Sequence, residues 1–184
     1  MARLYRCDVN TRLAYAYQYQ EAFKILVEKH RGGSHLLLPA LFMLRQYLEL
    51  ILKEKIEYLS QFSNSKSMLN KLNSEHKLTS LSGAFIEHYQ KSKNTLNLNS
   101  NDTKYIESFK SLSGFFEKLD DYSYTFRYPT NKNGEATFDE EYIEITFIED
   151  YKKANTLLEH LTDFFLITDI ATPQTNKSTQ ETKQ

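Results

Sequence analysis

This chain of 184 residues has one cysteine, no tryptophan, five glycines and three prolines. A single cysteine, Cys7, excludes an internal disulfide, a zinc ribbon and a CxxC redox pair, and it suits a reducing cytoplasm. So little glycine and proline argues against a fold built from many tight turns and favours long helices. No run of apolar residues approaches the 18 or so that a membrane-spanning helix needs. The first residues, Met1 to Arg12, lack the apolar stretch of a signal peptide. Also absent are a P-loop, a dinucleotide-binding glycine fingerprint, a nucleophile elbow and a His-Glu-x-x-His motif. A cytoplasmic protein without membrane segment, metal or cofactor is therefore expected.

What the chain does have is apolar residues, 40% of the total, with 13 Tyr and 12 Phe among them. That is enough to build one sizeable core, so a single domain over residues 1–170 is expected. The tail from 171 to 184 is rich in Thr, Gln and Lys, lacks large apolar residues, and is expected to be disordered. Net charge is −1, but it is unevenly spread. Residues 1–99 carry 14 basic and 8 acidic side chains, whereas residues 100–170 carry 7 and 15. Such asymmetry suits complementary faces in a dimer, or a partner, although ordinary solvated surface gives the same count.

Hydrophobic periodicity predicts the helices. Leu13, Ala16, Gln20, Phe23 and Val27 share one face of a helix over about 11–31, with Asn10 as its N-cap and Gly32-Gly33 as its stop. A second helix begins near Pro39, which a first turn tolerates because its missing N–H has no partner there anyway, and runs to about Leu59. Residues 61–74 are polar, with at most a short turn around Met68, Leu69 and Leu72. The third helix follows His76 with Leu78, Leu81, Phe85 and Tyr89 in line. After a break with four asparagines, Lys93 to Asn101, the fourth carries Tyr105, Phe109, Leu112, Phe116 and Leu119. Around 124–145 the sequence turns extended, and Asn133-Gly134 suits a tight turn, so a short hairpin-like excursion is expected. Thr146-x-x-Glu149 has the form of a capping box. It opens a last helix bearing Tyr151, Ala154, Leu158, Leu161 and Phe165. About five amphipathic helices around one core predict an all-α, up-and-down bundle.

The most informative segment is Leu37 to Lys53. Within this apolar run Arg45, Glu49 and Lys53 recur every four residues, on one line of a helix. The line can brace the helix, line a dimer groove or hold a ligand. A buried Glu49 would need a positive partner, with Arg45 or Arg127 the natural choices.

Four pieces of the chain resemble the HEPN superfamily, helical domains of prokaryotic defence, toxin–antitoxin and RNA-processing systems. Leu-Pro-Ala-Leu-Phe-Met-Leu-Arg45-Gln-Tyr-Leu-Glu49-Leu-x-x-Lys53 is similar to the family's second helix. His76-Lys77-Leu78 with Leu81 is similar to the start of its third. Asp121, Phe126-Arg127-Tyr128-Pro129 and Gly134 resemble an Arg-Tyr-Pro excursion of some members, and the capped last helix matches in position. The resemblance implies a bundle that commonly dimerises and, in catalytic members, a metal-independent ribonuclease with Arg followed by four to six residues and His. Here Arg127 has no such His, and Arg31 and His35 are separated by only three residues in a glycine turn. The resemblance therefore implies a binding or regulatory component, with a homodimer, a protein from a neighbouring gene, or RNA as partner. Its alternative is a divergent ribonuclease.

Each catalytic candidate has a plain structural reading beside it. His76 can act as a base near neutral pH, or simply make a polar contact or cap where a helix begins. Arg127 can grip a phosphate bidentately, or form a buried ion pair. Arg31 and His35 can bind an anion at the start of the second helix, or belong to a solvated turn. Asp139, Glu140, Glu141, Glu144, Glu149 and Asp150 fit no EF-hand spacing, and Glu149 and Asp150 suit a helix N-terminus.

Overall fold

A computed structural model describes residues 11–30, 36–96, 103–120, 126, 133–135, 149–156 and 158–159. It is an all-α bundle. Helix α1 spans Arg12–His30, α2 Leu37–Ser63, α3 Leu78–Ser92 and α4 Thr103–Asp120, with a 3-10 turn at Leu69–Lys71. Residues 149–156 and 158–159 are helical as well. Among the described residues there is no strand. The hairpin expected over 124–145 and the tail from 171 fall almost wholly outside the described residues. Gly134 is described and has φ +81°, the left-handed conformation that a tight turn asks of glycine.

The four expected helices up to residue 120 form, with shifted ends, and the last is helical where it is described, Leu161 and Phe165 lying outside the described residues. Asn10 lies outside the described residues, and Thr11 caps α1: its Oγ1 accepts the N–H of Ala14 at 3.2 Å. Helix α2 is longer than the sequence suggested. It begins at Leu37, keeps Pro39 within its first turn, and ends where Asn64 takes a left-handed conformation, φ 50°. The polar run from Gln61 was misleading at that end, because Ser63 is buried by α3 rather than solvated. The turn leading into α3 is held by Glu75, whose Oε1 accepts the N–H groups of His76 and Lys77.

Each of α2, α3 and α4 packs on the helix before it. Helix α2 touches both α1 and α3 and has no exposed residue between Leu44 and Ile56. One core runs through Phe23, Leu41, Leu44, Ile51, Ile56, Phe85, Phe109 and Phe116. The Phe85 ring lies 5.1 Å from Phe109 and 6.0 Å from Tyr89, joining α3 to α4. Phe23 meets Tyr151 edge-on at 4.9 Å, which brings the late helical residues onto α1. Burying a Leu, Ile or Phe contributes about 1.5–3 kcal/mol, so these seams dominate the stability.

Candidate functional site: a buried polar line and an exposed histidine

Because α2 is the central helix, its polar line cannot face water. Arg45 is 0% exposed, Glu49 6% and Lys53 5%. What covers them is the connection leading into α3. Glu49 is the hub: its Oε2 accepts Arg45 Nη1 at 3.1 Å, and its Oε1 accepts Lys53 Nζ at 2.9 Å and meets His76 Nδ1 at 2.9 Å. The same cations hold the backbone of the connection. Arg45 Nη2 donates to the carbonyl of His76 at 2.9 Å, and Lys53 Nζ lies 3.4 Å from that of Asn73. Arg12 extends the cluster from α1, donating to Glu57 at 2.7 Å and to the Asn73 side chain at 3.1 Å.

Burial alone would raise the pKa of Glu49, but hydrogen bonds and charge from Lys53 and His76 outweigh it and leave the pKa below the ordinary carboxylate value. The carboxylate is thus ionised in the fold. A group with a depressed folded pKa stabilises the fold above its unfolded pKa, and that stabilisation is lost as pH falls through the folded value. Stability measured by urea melts is therefore expected to fall once the pH drops below 4.5, the unperturbed value for Glu49. The part of that fall due to Glu49 should vanish in Glu49→Gln; an unchanged pH profile in the variant would remove Glu49 as a contributor.

The candidate residues thus divide. Arg45, Glu49 and Lys53 come together within the chain through Glu49, which both cations bind, so Arg45 is one of the positive partners the buried carboxylate has. His76 joins them through one ring nitrogen while its side chain stays 56% exposed. Arg31, His35, Arg127, Asp139, Glu140, Glu141, Glu144 and Thr146 lie outside the described residues. Glu149 and Asp150 are described: Glu149 binds Lys152 at 2.7 Å and Asp150 accepts Ser111 at 2.5 Å. Among the described residues no group of three His, Cys, Asp or Glu side chains is placed to hold a metal, and no helix is long and apolar enough to cross a membrane.

Two further buried polar clusters escaped the sequence reading. Ser63 Oγ lies 2.7 Å from His88 Nδ1, and His88 Nε2 donates to the Ser67 carbonyl at 2.9 Å. Nε2 therefore carries the ring proton of the neutral imidazole, and Nδ1 accepts from the serine hydroxyl. This pair has the partners of a serine–histidine dyad. Both residues are buried, however, and both ring nitrogens are spent on closing the loop after α2. Nearby, Glu87 is pushed down to about 2 by Lys91, Ser65 and Ser67. The other cluster joins α1, α2 and the late helical residues. Gln20 Nε2 and the Tyr47 hydroxyl both donate to Asn155 Oδ1, at 2.8 and 2.6 Å, and Asn155 Nδ2 donates to Glu159 at 2.7 Å. Burial raises the pKa of Tyr47 and pushes that of Tyr151 up to about 12. The one available signal was Gln20, a polar residue in an otherwise apolar stripe.

No protein-family model, curated protein or solved structure matches the chain.

Proposed function

We propose that the chain is a HEPN-like binding or regulatory domain of a prokaryotic defence or toxin–antitoxin system, and that it does not itself catalyse a reaction. The observation that carries this reading is the burial of Arg45, whose guanidinium is spent on Glu49 and on the His76 carbonyl. A site that cleaves phosphodiesters needs a cation that reaches the substrate as well as a proton acceptor. The α2 line supplies no such cation, since Arg45 and Lys53 are both buried and both bonded to Glu49 inside the fold. The line serves to fix the α2–α3 connection, which leaves the outer surface of the domain for partners. Those partners are a second copy of the chain, a protein encoded nearby, or RNA that is bound and not cut.

The second reading is a divergent metal-independent ribonuclease. The contact between Glu49 and His76 favours it, because a carboxylate behind an exposed imidazole is how many general bases are oriented. One set of measurements separates the two readings. Purified protein is expected to leave single-stranded RNA and tRNA intact without added metal, and to scatter light as a dimer at tens of micromolar, roughly the range where weak complexes assemble. RNA cleavage that disappears in both His76→Ala and Arg127→Ala, with the fold intact by circular dichroism, would establish the nuclease instead. A monomeric mass would remove the second copy from the set of partners.

A further inference from the structure

The geometry points to His76 as a preset proton acceptor on the protein surface, with Glu49 as its positioning residue and a ligand hydroxyl as the group it is built to receive. Glu49 is ionised and can only accept hydrogen bonds, so the proton between it and the imidazole belongs to His76 Nδ1. In the neutral ring Nε2 then carries the lone pair. Among the described residues nothing bonds Nε2, and the side chain is 56% exposed. The ring is also fixed from its own backbone, since Arg45 holds the His76 carbonyl and Glu75 accepts the His76 N–H. A solvated surface histidine exchanges freely between tautomers and rotamers. Here one tautomer is selected and the lone pair is presented outward. A hydroxyl can donate to such a nitrogen, and the carboxylate behind the ring stabilises the positive charge that develops if the proton moves across.

His88 supplies an internal control of opposite kind. Its Nε2 carries the proton and its Nδ1 faces Ser63, with no part of the ring open to solvent. Long-range nitrogen–proton correlation spectra of the imidazoles, recorded at about pH 8 where an ordinary histidine is neutral, distinguish the two tautomers directly. The expected result is the Nδ1–H form at His76 and the Nε2–H form at His88. Diethyl pyrocarbonate is the chemical probe. An unprotonated imidazole nitrogen attacks one carbonyl of the reagent and takes up an ethoxycarbonyl group, releasing carbon dioxide and ethanol. Peptide mapping of the intact, folded protein should find His76 modified many-fold faster than His88, with that adduct missing from the otherwise folded His76→Gln variant. A Nε2–H tautomer at His76, tautomer averaging there, or a modification rate no higher than that of His88 would each overturn the inference. These readouts do not depend on RNA cleavage, so they separate the presented acceptor from the question of nuclease activity.

Discussion

Glu49→Gln is expected to destabilise the protein by about 3–5 kcal/mol, the usual result of removing one partner from a buried charge cluster. The carboxylate is the acceptor for Arg45, Lys53 and His76 together. Glutamine keeps the shape but removes the negative charge, which leaves two buried cations beside a neutral amide. The loss comes from those stranded cations more than from the absent attraction. For that reason the triple variant Arg45→Met, Glu49→Leu, Lys53→Met is expected to recover most of the stability, since well-packed apolar replacements of a buried ion cluster are often neutral or better. His76→Gln touches only an exposed partner and should cost under about 1 kcal/mol. Urea denaturation of the three variants checks the set. A Glu49→Gln variant within 1 kcal/mol of the parent protein (roughly the effect of an exposed ion pair) would mean that water reaches the line.

Phe85→Ala is expected to cost a further large amount, about 3–5 kcal/mol, as removal of a fully buried aromatic does. Phe85 is completely buried, and its ring lies against Phe109 and Tyr89. It is one of the contacts that hold α4 to α3, beside the Ser82–Ser113 hydrogen bond, so the cavity would open where two helices meet. Ile25→Ala on the exposed side of α1 is the control, with an effect within about 0.5 kcal/mol. Thermal or urea unfolding of both variants measures the difference. Equal, small losses would show that α4 contributes little to the cooperative unit.

The helices and their inner faces were legible in the sequence because each repeats at the helical period. Ala16, Gln20 and Phe23 on α1, Leu78, Leu81, Phe85 and Tyr89 on α3, and Phe109, Leu112 and Phe116 on α4 were all expected inward and are all buried. Helix ends were less legible. Gln61 and Ser63 look like the start of a loop, yet α2 runs on through them because α3 covers Ser63. The Arg45, Glu49 and Lys53 line was visible as a pattern, and its apolar surroundings made partial burial of Glu49 plausible, while the full burial of Arg45 and Lys53 was not legible: the same spacing occurs on a solvated helix, where each pair contributes only a few tenths of a kcal/mol.

By itself, then, the sequence determined the helices found among the described residues and the stripe each one buries, and it placed Arg45 and Lys53 within reach of Glu49, since residues four apart on a helix share a face. Contacts between residues far apart in the chain were decided only by the tertiary structure. The strongly apolar run from Leu37 to Lys53 marks α2 as a core helix, but periodicity carries no information on what covers its polar line. Packing brings the residues before α3 across that line and places Nδ1 of His76 on Glu49, 27 positions away. It likewise sets Asn155 between Gln20 and Tyr47 and closes His88 onto Ser63. A polar side chain in a sequence shows what it can bond to; only packing decides whether water or another helix supplies the partner.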